Sequence, residues 1–396
     1  MNALRFGFAL SACAAAAALG ACSSGASAPP LAPVNSLTPS SSLAAHAKHT
    51  VGLGKLLTTK NGGQVFGFDI DRNGTDGVLA TASDVETFDQ NNGTISKSFP
   101  KKLPPGTSYS LDAIFSGDVA LVTRYVVPKG QIFAKRFYDL MNPVTAGKFT
   151  NVWTPPIRDI DVLQTGVNQV TSTGALFAIE LKKQDKPVIV VSDVAKNTIA
   201  KVIHLDPNLF GGGNGPQFGQ DTTTNQAVIA LSPDGGRVGG EAPVNVLVDL
   251  ATGKEKKFAG LNNGFFGSGY VNGLAVDSMT GVAATTTELN AQVEIYNLAQ
   301  QTGIAAQLPC TGSTSQINSG AGIAADPVHG LFLVTDPSYA CSSGSALVVY
   351  DEKGNNVETI TGFKFAIGEP PPVINPATRT GWAFGPAFSQ LQQFFY

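Results

Sequence analysis

The densest run of chemically capable side chains in this chain is Asp69-Ile70-Asp71-Arg72-Asn73-Gly74-Thr75-Asp76-Gly77. Carboxylates at alternate positions, then an Asn and a Gly that allows a tight bend, are how short loops present oxygens to Ca²⁺, with Asp69, Asp71, Asn73 and Asp76 as the candidate ligands. The same residue types build ordinary hairpin turns, and Ala80 stands where a twelve-position Ca²⁺ loop carries its bidentate Glu. Nucleophilic chemistry has less to work with, because no Gly-x-Ser-x-Gly elbow occurs and Ser268 sits in Gly-Ser-Gly without that spacing. His46 and His49 lack the Cys or acidic neighbours of a Zn²⁺ site. His329, in Pro-Val-His-Gly, reads as a turn residue, and His204 follows the apolar run 200–203 at a sheet edge. The run GGGNGPQFG at 211–219 opens no helix and lacks a Lys-Ser/Thr ending, so it reads as a surface connection and not a phosphate loop.

What must position these residues is a repeat. ALVVYDEKGNNVETI (346–360) is an alternating run, a turn of Asp351, Lys353, Gly354 and Asn355, and a second alternating run, which is a β-hairpin with its turn chemistry in place. The same pattern recurs at 84–99, 134–149, 187–203, 244–258 and 292–308. The residue closing each first run, Asp89, Asp139, Asp193, Asp249, Asn297 and Asp351, returns every 48 to 56 residues. That period suits β-propeller blades and is too long for most solenoids.

Each period also has a front half. Residues 272–288, 320–336 and 371–385 share a short apolar strand, an Asp or Asn (Asp277, Asp326, Asn375), a turn and a second apolar strand; 66–83 and 227–241 are looser versions. Two strands in front and two behind make a four-stranded antiparallel blade. The chain stops at Tyr396, at the end of a third strand, while 50–58 is a strand-like run with no blade of its own. Pairing of 50–58 with 390–396 would close the ring and remove an exposed edge. The expectation is an all-β, seven-bladed β-propeller over 50–396 whose last blade is completed by an N-terminal strand.

The pattern G-[LI]-A-x-D-x-x-x-G, present at 273–281 and 322–330 and followed by a V-x-V-Y/D hairpin, resembles the YVTN, NHL and gluconolactonase-like propellers over nearly all of 50–396. Asn272-Gly273-Leu274 resembles the segment whose Asn holds a divalent metal in the gluconolactonase-like channel, which implies Asn272 as a channel ligand and metal-dependent lactone or ester hydrolysis as one activity. Carry-over stops at Asn272, since Gly320-Ala-Gly-Ile323 stands where that family has its partner Asp. The loop at 69–77 resembles the DxDxDGxxD loops of some propellers, with its last Asp one position early.

Residues 1–21 read as a targeting segment: Arg5, an apolar core from 6 to 19, then small residues. Leu19-Gly20-Ala21-Cys22 resembles the lipobox of bacterial lipoproteins, which implies acylation of Cys22 and attachment to the cell envelope. Residues 22–49, rich in Ser, Ala and Pro, then form a flexible tether. With Cys13 removed and Cys22 acylated, Cys310 and Cys341 are left as an even pair that an oxidising envelope can bridge. The loop of about 30 residues so closed is worth roughly 3 to 4 kcal/mol in the chain-entropy model. Only 14% of the 396 residues are charged and the net charge is −3, which gives no footprint for a nucleic acid. No marked catalytic set accompanies the blades, so the sequence favours a binding or scaffold module for a small ligand or an envelope protein. The hydrolase is the alternative.

Overall fold

The computed structural model describes residues 51–71, 75–81, 83–100, 107–115, 119–127, 129, 135–141, 149–153, 160–168, 173–180, 186–193, 198–206, 217–221, 225–231, 244–259, 271–287, 292–308, 322–336, 345–364 and 371–396. Among these residues the secondary structure is β throughout, in seven four-stranded antiparallel sheets. We number them as blades one to seven: 65–100, 107–153, 160–204, 217–259, 271–307, 323–363, and 373–395 with 52–58. First strands of neighbouring blades lie side by side: Gln217–Asp221 by Val271–Asp277, that strand by Ile323–Asp326, and Ile323–Asp326 by Val373–Asn375. Val373–Asn375 returns to Val65–Ile70 of blade one, which brings the succession round to its start.

Inner strands of blades five to seven are apolar on both faces because each of these sheets is packed between two others. In Ser345–Asp351, the hairpin strand of blade six, every residue from Ala346 to Tyr350 is buried. One cluster joins blades five and six through Ala275, Val293, Ile295, Phe332, Val348 and Tyr350. Another joins blade seven to blade one through Leu57, Phe68, Phe88, Trp382 and Phe384. Phe88 meets Trp382 edge-on at 5.3 Å between ring centres, and Phe68 meets Phe384 at 5.2 Å. Among the described residues the core is therefore divided among the junctions between blades.

Ring closure follows the sequence expectation. Gly52–Thr58 runs antiparallel to Gln390–Phe395, from Gly52 opposite Phe395 to Thr58 opposite Gln390, and places Leu57 at 1% exposure. The repeat markers are also where the pattern put them. Asp89, Asp193, Asp249, Asn297 and Asp351 end the third strand of their blades, and Asp277, Asp326 and Asn375 end a first strand. Asp139 departs: its strand runs on to Met141, and its buried carboxylate is held by Arg124 at 2.7 Å, with that guanidinium over the Phe137 ring. The Gly-rich run departs too, because Gln217–Asp221 is the first strand of blade four and not part of a loop.

Antiparallel order gives the ring two different ends. Turns joining strands one to two and three to four lie at one end, here the turn end; links between strands two and three and between successive blades lie at the other, the connection end. At the turn end, Gly93, Gly253, Gly281, Gly330 and Gly354 take positive φ, as do Asn225, Gln301 and Arg379. Gly354, at φ +78°, packs on Ile304 of blade five, where a Cβ would come within 2.7 Å of the Ile304 side chain. Among the described residues no helix is long and apolar enough to cross a membrane.

Candidate functional site

Three successive junctions carry the same buried polar arrangement at the turn end, built from the Asp or Asn that closes a first strand. Asp277 Oδ1 accepts the N–H groups of Met279 and Thr280 at 2.8 and 3.3 Å. Asp326 Oδ1 accepts those of Val328 and His329 at 3.0 and 3.2 Å, and Asn375 Oδ1 accepts that of Ala377 at 3.1 Å. A short side chain that bonds the backbone two residues on fixes the bend, which is why the sequence repeats Asp or Asn at this point. All three side chains are buried.

The second oxygen or nitrogen of each faces the next blade, where it meets the residue just after the last of that blade's third strand. Asp326 Oδ2 accepts the Tyr396 hydroxyl at 2.9 Å and lies 2.8 Å from His329 Nδ1. Asn375 Nδ2 donates to Gln90 Oε1 at 3.4 Å, while Gln393 Nε2 donates to the Gln90 carbonyl at 2.8 Å. At the third junction the partner is an acid. Glu352 accepts the Thr280 hydroxyl and lies beside Asp277, whose Oδ2 is fully buried with no hydrogen bond of its own. Burial pushes the Asp277 carboxyl up to about 6 against the pull of the two turn N–H groups, and Glu352 adds to the rise. A neighbouring carboxylate disfavours ionisation of the buried Asp277 in the same direction as its burial.

A second polar cluster ties down the connection end of blade one. Asp84 accepts the Thr81 hydroxyl, Asn61 Nδ2 at 2.9 Å and Ser98 Oγ at 3.1 Å. Glu86, fully buried two residues along the same strand face, accepts the Lys60 N–H through both oxygens at 3.0 and 3.1 Å. Burial pushes Glu86 up to about 6; the Lys60 N–H offsets part of that rise and Asp84 adds to it. Together these bonds hold the link between blades seven and one, 59–64, to the body of blade one. Tyr350 makes a comparable tie from blade six to blade five, donating to the Gln307 carbonyl at 2.9 Å from a buried site that pushes its hydroxyl well up.

The residues singled out from sequence fall differently. Asp69 is buried within the strand Val65–Ile70, where Oδ1 accepts the Ile70 N–H at 2.9 Å, and Asp76 opens the next strand opposite Asp89. Asp71 begins the turn between them: its N–H bonds the Asp76 carbonyl at 2.8 Å, and its own carbonyl accepts Gln90 Nε2 at 2.7 Å. Asn73 lies outside the described residues, and among those described no three His, Cys, Asp or Glu side chains gather closely enough to hold a metal. Asn272 lies on the first strand of blade five, where the register slips between Val271 and Gly273 and leaves it as the extra residue of a β-bulge; its side chain is outside the described set. Cys22, Cys310 and Cys341 also lie outside the described residues. His329 is a turn residue as expected, with the added contact to Asp326, and His204 ends the outer strand of blade three, exposed.

No protein-family profile matches the sequence, and no curated protein sequence does. Solved structures do match in shape. The WD40 repeats of RRP9 superpose at TM-score 0.62 with 12% identity, over 88% of this chain and 99% of that one. A chain of the mitotic checkpoint complex gives 0.62 with 10% identity, over 93% and 99%. Raptor of Chaetomium thermophilum gives 0.59 with 13% identity over 88% of this chain, which spans only 29% of Raptor's length. Likeness at this level of identity shows the fold, a β-propeller related in architecture to WD40 proteins.

Proposed function

We propose that this chain is an envelope-anchored β-propeller lipoprotein that serves as a binding or scaffold module for a small ligand or an envelope protein. In this reading residues 1–21 are a cleaved signal, Cys22 carries acyl chains worth about 0.8 kcal/mol per buried methylene, 22–49 are the tether and 50–396 the propeller of YVTN or NHL type. The observation that carries it is how the buried polar groups are used. Asp84, Glu86, Asp326 and Asn375 each spend their oxygens and nitrogens on turn N–H groups, hydroxyls and neighbouring blades. That chemistry makes a rigid frame, and a rigid propeller frame presents its loops to a partner. One of the similar structures, the chain of the mitotic checkpoint complex, belongs to an assembly, which fits the same use of the fold.

The test has two parts. Labelled palmitate should enter the wild-type chain in a bacterial host and fail to enter Cys22→Ala. Metal-free protein without lactone hydrolysis that crosslinks a discrete envelope partner supports the module. Bound divalent metal together with lactone hydrolysis lost in Asn272→Ala overturns it in favour of a metal-dependent hydrolase.

A further inference from the structure

We propose that the turn end of blades five to seven is the face that lies against the membrane, with Met279 and Val328 entering the lipid. The inference rests on the reading of Cys22 as the anchor and adds the orientation of the ring. Nine large apolar side chains are strongly exposed among the described residues, and six of them sit on or beside this sector: Met279, Val328, Val357, Ile304, Val51 and Leu53. Met279 is 66% exposed and Val328 47%, the two at equivalent positions of adjacent first-strand turns, two residues after Asp277 and Asp326.

Their presentation is built and not accidental to a loose loop. The N–H of each residue bonds the aspartate behind it at 2.8 and 3.0 Å, so the peptide faces inward and the side chain is held outward on a fixed bend. Ile304 and Val357 flank them on the outer strands of blades five and six, and the Gly354 turn packs against Ile304 between them. Exposed apolar groups concentrated in one sector mark an interaction surface.

What covers that surface is indicated by where the chain enters the fold. Val51 is followed by Gly52, which pairs with Phe395 at the turn end of blade seven. Everything N-terminal to Val51, including Cys22, therefore departs from the same end and sector as the exposed apolar groups. The roughly 28 residues between Cys22 and Val51, in the tether reading proposed above, span about 30 Å root-mean-square. An anchor at that distance keeps the sector at high effective concentration near the bilayer, so a few apolar contacts suffice to orient the ring. The connection end would then face away from the membrane, toward soluble partners.

The experiment uses the full acylated chain reconstituted in vesicles of three parts phosphatidylethanolamine to one part phosphatidylglycerol, with flotation scored first. Single variants Met279→Trp and Val328→Trp are compared with Phe388→Trp, whose position is 48% exposed between the second and third strands of blade seven, at the connection end. Acyl chains brominated below the headgroups should quench the added emission of Met279→Trp and Val328→Trp by about half, and leave that of Phe388→Trp unchanged, since interfacial insertion reaches only about 5 to 10 Å. The quenching should persist in high salt because apolar contact carries it. Equal quenching at all three positions, or none, with the protein floating normally, overturns the orientation and leaves the anchor standing. Protein that fails to float with the vesicles overturns both. All three sites are exposed, and unchanged melting temperatures confirm that the variants are folded.

Discussion

Asp277→Asn should stabilise the protein at pH 8. In the wild type, burial holds the Asp277 carboxyl near 6 against an ordinary value of 3.8, with Glu352 beside it. A folded-state value above the unfolded one means that the folded chain binds the proton more tightly. The associated stability is fully present below pH 4 and is lost as pH rises through 6. At about 1.36 kcal/mol per unit, the difference between pH 4 and pH 8 is on the order of 3 kcal/mol. Asparagine keeps the Oδ1 that accepts the Met279 and Thr280 N–H groups, and its Nδ2 can donate to Glu352. Blade seven already uses that chemistry, where Asn375 caps the turn and donates to Gln90. The variant should match wild type near pH 4 and exceed it at pH 8 by up to about 3 kcal/mol, several degrees in melting temperature. Urea or thermal unfolding of both proteins at pH 4.5, 6 and 8 measures this. A variant that is less stable than wild type at pH 8, or a difference that does not change with pH, would refute the raised Asp277 carboxyl as the cause.

Other outcomes follow from the same contacts. Glu86→Gln removes a carboxyl raised to about 6 from 4.5, so it should flatten the fall in stability between pH 5 and pH 8 in a thermal series, by on the order of 2 kcal/mol. Leu57→Ala should cost about 2 to 5 kcal/mol in urea unfolding, and deletion of 50–58 should lower the melting temperature further because it also strips the edge of Gln390–Phe395; an unchanged melt after the deletion would mean that the strand does not close the ring. Gly381→Ala would bring a Cβ within 2.7 Å of the Val373 carbonyl and closer still to the Phe394 ring, so a clear loss of melting temperature is expected even from one methyl. Titration of unreduced, denatured, acylated protein should find no free thiols if Cys310 and Cys341 are bridged, and two per chain if they are not.

The architecture was legible where turn chemistry repeats. An Asp or Asn that accepts turn N–H groups ends the third strand at Asp89, Asp249, Asn297 and Asp351 and the first strand at Asp277, Asp326 and Asn375, and that physical need underlies the spacing. The reading weakened where strands lack those signals. Thr107–Phe115 and Ile160–Asn168, the first strands of blades two and three, carry polar residues among apolar ones and end without the same Asp-turn-Gly sequence. Gln217–Asp221 hid behind a run of glycines, because Gly219 lies tightly against Val276 and Leu274 of blade five in a site with little room for a side chain. Asp139 kept the spacing but lost the turn, its carboxylate turned instead to Arg124.

The polar junctions were half legible. Asp277, Asp326 and Asn375 stood out as turn residues, but their partners Glu352, Tyr396 and Gln90 come from the following blade and are distant in sequence, so no local pattern links them. A signal did exist one residue after the third strands that end at Asp89, Asp249, Asn297, Asp351 and Phe395. Where that residue is Leu250 or Leu298 it is buried with the apolar core, as its position between blades demands. Where it is Gln90, Glu352 or Tyr396 a polar head occupies the same kind of site, and a buried polar head requires a partner across the junction. Glu352 is the exception that tells most, because a carboxylate set against the buried Asp277 adds to the cost that burial already places on ionising Asp277. The side chain that departs from the repeat therefore marks a junction where pH acts on the packing of the ring.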